Sequence, residues 1–169
     1  MASQSAKTNA MRMVESARVP FRVGYYDYDE NDLNGMHAAE GLGMPYGQVF
    51  KTLVTKGASG NFAVFILPVD ATLDRKAAAR AAGEKNLDLI PVKDLLPLTG
   101  YLRGGCSPIG MKKKFPTYLD QSALNWPEIA VSAGKRGEQL ILAPADLIKL
   151  TSARTASLTA ADPTAQAEI

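Results

Sequence analysis

Apolar and polar positions alternate between two periods along this chain, and the switches between them divide it into short elements. Ser5 to Ala17 carries Ala6, Ala10, Met13, Val14 and Ala17 at helical spacing with Lys7, Arg12 and Glu15 elsewhere, which predicts a helix closed by Pro20. Phe21 to Tyr28, FRVGYYDY, predicts a strand with Phe21, Val23 and Tyr25 on one face and Tyr26 and Tyr28 on the other. Asp29 to Gly35 is a turn-forming run, and Met36 to Leu42 predicts a short helix ended by Gly43 and Pro45. Val49 to Thr55 predicts a strand with Lys51 in its middle, followed by a KGASGN turn into Phe62 to Val69, apolar enough to be central.

Leu73 to Ala82 predicts a helix with Thr72 as N-cap and Gly83 as its stop, Leu87 to Ile90 a short strand, and Pro91 the N1 position of a brief helix through Leu96. Thr117 to Asp120, Glu128 to Ser132 and Gln139 to Ala143 predict strands, the last two joined by the turn SAGKRG; Pro144 begins a final helix. The tally lacks the regular strand–helix alternation of a doubly wound sheet. An α+β domain is expected, with a curved, mixed or largely antiparallel sheet and helices outside it, spanning residues 1–153, and residues 154–169 as a fraying tail.

Composition narrows the setting. A chain of 169 residues, 46% hydrophobic, forms one ordinary domain. A net charge of +2 means that any nucleic-acid contact rests on a local patch. One cysteine excludes an internal disulfide framework and suits a reducing compartment. No apolar run is long enough to span a membrane and the N-terminus lacks the apolar core of a signal peptide, so a cytoplasmic protein without a membrane partner is expected.

The chemistry concentrates in Gly100 to Asp120, GYLRGGCSPIGMKKKFPTYLD, where glycines, a proline and cations meet without an acid before the end. Gly104 and Gly105 permit positive φ or close backbone approach, Pro108 stiffens the turn after Ser107, and free N–H groups in such a turn form an anion-binding concavity. Arg103, Lys112, Lys113 and Lys114 frame it with positive charge. The P-loop pattern fails, since Met111 stands where lysine must follow Gly110. A second basic turn holds Lys135 and Arg136. His37, the single histidine, and Cys106, the single cysteine, make no metal set, and no metal or other cofactor is expected. Lys51 faces either solvent or a polar cleft, and in a cleft it would bind an oxyanion or phosphate.

VFKTLV around Lys51, TGYLRGGCSPIGMKK from Thr99 to Lys113 and VSAGKRG from Val131 to Gly137 together resemble the YbaK and ProX family of free-standing aminoacyl-tRNA deacylases, over Val19 to Leu150. The resemblance implies a barrel-like mixed sheet of six or seven strands wrapped by helices, shared with the insertion editing domain of bacterial prolyl-tRNA synthetases. It implies hydrolysis of a mischarged aminoacyl-tRNA, Cys-tRNA(Pro) first among candidates, with prolyl-tRNA synthetase as a possible partner. It assigns catalytic roles to Lys51, Gly104, Tyr26 and Ser132, and substrate contacts to Gly105, Ser107, Pro108, Arg103, Lys112, Lys113, Lys135 and Arg136. Cys106 stands where the family usually has an aliphatic residue, and Gln139 where cysteine-specific members have an aspartate. In those members the substrate's own thiol is thought to attack, without a protein nucleophile. Two other readings stay open: a non-catalytic binder of a tRNA end, nucleotide or synthetase, and a thiol hydrolase pairing Cys106 with His37.

Overall fold

A computed structural model describes residues 6–160. The first helix, α1 (Asn9–Ser16), is capped by Thr8, whose hydroxyl oxygen accepts from the Met11 N–H, and it buries Ala10, Met11 and Val14. The start expected at Ser5 lies outside the described residues. β1 (Arg22–Tyr25), β7 (Glu138–Leu142) and β6 (Ile129–Lys135) form an antiparallel sheet with β7 in the middle. A second sheet runs β4 (Leu87–Leu89), β2 (Phe50–Gly57), β3 (Phe62–Pro68), β5 (Thr117–Asp120), β8 (Arg154–Ala156). Its β4–β2–β3 part is antiparallel, whereas β3, β5 and β8 pair in parallel. The apolar β3 is central, as its composition requires.

The architecture is therefore mixed α+β, but the expected barrel is corrected: among the described residues eight strands make two sheets, and the sheet does not close. Among the described residues one parallel bridge joins the sheets, Val49 to Ala130, and their inner faces share an apolar core in which Phe50, Val54 and Ile66 meet Ile129, Val131 and Leu140. Closure would need the outer edges of β4 and β8 to find partners in the other sheet, and neither does among the described residues.

The helices cover these sheets. α2 (Met36–Leu42) ends at Gly43 in the left-handed region, φ 67°, and matches its expected bounds. α3 (Arg75–Ala82) is capped by Asp74 instead of Thr72, through a hydrogen bond from Ala77 N–H to the Asp74 carboxylate. Pro91 stands just outside α4 (Val92–Thr99), which carries Pro97 within it, and α5 (Pro144–Thr151) starts at its proline as expected. The expected frayed tail is also corrected for its first residues. Arg154–Ala156 adds to the sheet, Leu158 is fully buried, and Ala160 N–H bonds the Thr72 carbonyl. Residues 161–169 lie outside the described range. No helix among the described residues is long and apolar enough to cross a membrane.

Candidate active site

Where β2 leaves β6, a small cavity opens between the two sheets. It is lined by Lys51 and Thr52 from β2, Ser132 from β6, Gln139 from β7, Tyr26 after β1, Gly104 and Cys106, with Leu33, Gly35, Ala38, Val49, Phe50 and Val69 completing the wall. It encloses about 50 Å³, room on the order of one or two waters or one small side chain. A wider groove of about 660 Å³ runs past Lys56, Phe62, Asp88 and Pro97, but none of the candidate residues lines it. Chemistry, not size, identifies the site.

Lys51 is the unusual member. It pairs with Leu67 across β3 and is only 6% exposed, so the solvent-facing alternative is excluded. A buried ammonium is costly unless its surroundings are polar, and this one is spent on the cavity wall. Ser132 and Gln139 stand directly opposite each other in the β6–β7 register, both buried. Beyond them the register shifts by a bulge between Ser132 and Lys135, and Gly134 takes φ +97°. The Ser132 hydroxyl accepts from the Gly134 N–H at 3.1 Å, which leaves its proton available to a ligand. The Gln139 amide interacts with the Tyr26 hydroxyl, while its Oε1 is buried and accepts no hydrogen bond among the described residues. Burial raises the Tyr26 pKa against the lowering by hydrogen bonds from the Gly137 backbone and Gln139, and Tyr28 adds to the rise; Tyr26 stays a neutral phenol at physiological pH.

The bulge serves the second wall. It swings Lys135 and Arg136 against the glycine loop so closely that a Cβ on Gly105 would meet Arg136 N at 2.9 Å and the Lys135 carbonyl carbon at 3.0 Å. Arg136 Nε donates to the Arg103 carbonyl at 2.8 Å, fastening the two turns. Gly104, at φ +84°, lies against Leu33 at the cavity. The structure thus gathers Lys51, Gly104, Tyr26 and Ser132 on one cavity and sets Gly105, Arg103, Lys135 and Arg136 beside it.

Others are placed elsewhere. Ser107 is fully buried and its hydroxyl accepts from the Ile109 N–H, and Pro108 is buried against a different hollow with Met13 and Lys113. Lys112 turns to the Pro97 carbonyl at 3.5 Å and Lys114 to Ser152 at 3.4 Å. Cys106 does reach the cavity, but burial pushes its thiol up to about 12, the Thr99 hydroxyl offsetting this only in part, so it is protonated and a poor nucleophile. His37 is held outside the cavity lining between Asp32, at 2.8 Å, and Glu40, at 3.1 Å. That arrangement argues against a Cys106–His37 pair. Sequence reasoning missed Leu33, Gly35, Ala38 and Val69 as wall residues, and only their position beside turn or polar residues such as Asp32, Asn34, His37 and Asp70 hinted at them.

The sequence and the fold match a known class of protein. The chain belongs to the aminoacyl-tRNA editing domain family, whose model matches residues 36–150. It is 48% identical over 153 residues to EbsC of Enterococcus faecalis, named as a candidate Cys-tRNA(Pro)/Cys-tRNA(Cys) deacylase, covering 90% of this chain and 93% of that one. The uncharacterised protein YwhH of Bacillus subtilis is 26% identical over 121 residues, covering 72% of this chain and 76% of its own. Among solved structures, a candidate trans-editing enzyme for prolyl tRNA synthetase is 28% identical with a TM-score of 0.77, covering 92% of this chain and 99% of that chain.

Proposed function

We propose that this protein is a trans-editing hydrolase that removes a small amino acid from mischarged tRNA, with Cys-tRNA(Pro) as its substrate. The observation that carries the reading is Lys51, a buried ammonium on the wall of a cavity shared with Gly104, Ser132, Tyr26 and Gln139. An aminoacyl ester is already activated, so it needs a polarised carbonyl and an attacking group held near it. Lys51 and the N–H groups of the Gly104 loop, apart from that of Gly105, which bonds the Leu102 carbonyl, polarise the carbonyl oxygen of the ester. Tyr26, Ser132 and Gln139 hold the amino acid, for which the cavity's small volume suits a short side chain.

With the Cys106 thiol protonated and His37 outside the cavity lining, attack falls to the substrate or to water. In the substrate-assisted route the cysteinyl sulfur attacks its own carbonyl carbon and the C–O bond to the ribose breaks. The proton lost by sulfur passes to the ribose oxygen, and water then opens the cyclic thioester to free cysteine. The aspartate of cysteine-specific members is replaced here by Gln139, so the amide, not a carboxylate, contacts the aminoacyl group. Prolyl-tRNA synthetase is the partner from which such a tRNA would be received.

The test is a deacylation panel of cysteinyl-, alanyl- and seryl-tRNA with purified protein. Faster release from cysteinyl-tRNA(Pro) than from the others is expected. Tight tRNA binding without release of any amino acid would overturn the reading in favour of a non-catalytic binder.

A further inference from the structure

Tyr28 follows the cavity residue Tyr26 by two positions and is 47% exposed, although a tyrosine ring gains by being covered. One side of it is already backed. A Cβ placed on Gly137 would lie 3.0 Å from Tyr28 Cδ1 and 3.3 Å from Cε1, so the ring rests on the backbone of the 134–137 turn. Tyr26 N–H bonds the Gly137 carbonyl at 3.0 Å, and Tyr28 contributes to the raised pKa of Tyr26. The ring therefore spans from the basic turn to the residue that lines the cavity.

Its neighbours decide what it can hold. Asp27, Asp29 and Glu30 flank it in the chain, all exposed, and would repel a phosphate. Arg136 stands in the turn that supports the ring and attracts one, and so in part does Lys135, whose Nζ also lies 3.9 Å from the Glu138 carboxylate. An exposed aromatic surface next to a basic edge suits a single-stranded nucleotide, its base stacked and its phosphate held to one side.

We propose that Tyr28 is the stacking platform for the terminal base of the substrate RNA, placing the aminoacyl ester over the cavity while Lys135 and Arg136 hold the adjoining phosphates. The inference rests on the trans-editing reading and adds the part of the substrate that this edge recognises. Binding of uncharged trinucleotides tests it without catalysis: one ending in adenosine, one in an abasic ribose. The wild-type protein should prefer adenosine by roughly five- to hundredfold, the worth of one stacked base, and Tyr28→Ala should bind both equally. Tyr28→Phe should keep the preference, and Tyr28→Leu, which still covers Gly137, should lose it even if the alanine variant fails to fold. In turnover, KM for mischarged tRNA should rise by a similar factor in the alanine or leucine variant with kcat nearly kept, while Tyr25→Ala changes neither. A wild-type protein indifferent to the terminal base, or a Tyr28→Leu variant that retains the preference, overturns the proposal. Absence of deacylation by the wild-type protein, with the base preference intact, would instead overturn the trans-editing reading alone.

Discussion

Lys51 sits on β2 opposite Leu67 of the apolar β3, and its burial is what turns an ordinary surface residue type into a candidate for catalysis. Its compact ammonium offers three donors on a flexible stem, a shape that a planar guanidinium does not reproduce. Both Lys51→Ala and Lys51→Arg should lower single-turnover deacylation by about a hundredfold or more, as for the loss of an oxyanion donor. Thermal melts of Lys51→Ala should stay near wild type, since the loss of its buried stem is offset by relief of a buried charge; a variant that melts normally and deacylates at the wild-type rate would refute the assignment. The lysine was legible in the sequence, but not its direction. Strand alternation gives a side chain two faces without saying which one is wet. Leu33, Ala38 and Val69 were illegible for another reason: an apolar side chain on a cavity wall is indistinguishable in sequence from one in the core. Ser107 shows the reverse, a polar residue within a suggestive string whose hydroxyl is used on the Ile109 N–H.

Two elements owe their form to local contacts that can be broken singly. The bulge of β6 and the glycine loop meet backbone to backbone, and backbone cannot step aside. Gly105→Ala should therefore cost about 1–3 kcal/mol in chemical denaturation, the usual range for overpacking, and reduce activity with it. Gly47→Ala, whose nearest contact would be Trp126 at 3.7 Å, should be nearly neutral and serves as the control. The start of α2 is held differently, by His37 between Asp32 on the preceding turn and Glu40 on the helix, with the Tyr46 hydroxyl also donating to Glu40. Hydrogen bonds to Asp32 and then Glu40 raise the His37 pKa, while the bond to His37 lowers that of Asp32. The clamp is complete below the ordinary histidine pKa and is lost as pH rises through the raised one; on the acid side it fails as pH falls through the lowered Asp32 value. NMR titration should find the His37 midpoint above the ordinary histidine value, and Asp32→Asn should bring it down. An unchanged midpoint would show that the contact is not kept in solution. Element positions were mostly legible because periodicity and turn residues agree. The α3 cap was not, because Thr72 and Asp74 are both good caps, and the choice is made by Leu73, drawn into a bridge with Thr159.

At the scale of the whole molecule, a mildly charged chain concentrates Arg103, Lys135 and Arg136 on interlocked turns beside the cavity, while Lys112 and Lys114 lean on the C-terminal ends of helices α4 and α5. If the first group meets the acceptor end, KM for tRNA should climb with salt, because each neutralised phosphate releases counterions. Neutralising Arg103, Lys135 and Arg136 should flatten that dependence more than neutralising Lys112 to Lys114. A KM indifferent to salt would argue for a small-molecule substrate. The α+β class was legible from element order; the open pair of sheets was not, since pairing partners across long intervals leave no periodic mark. The last strand shows how far such an interval reaches. β8 is three residues long, yet it covers the backbone of β5, and Leu158 N–H just beyond it bonds the buried Asp120 carboxylate at 2.9 Å. A protein ended at Ala153, where composition alone invites the cut, would bare the donors and acceptors of Tyr118 to Asp120, a ready template on which other copies would polymerise.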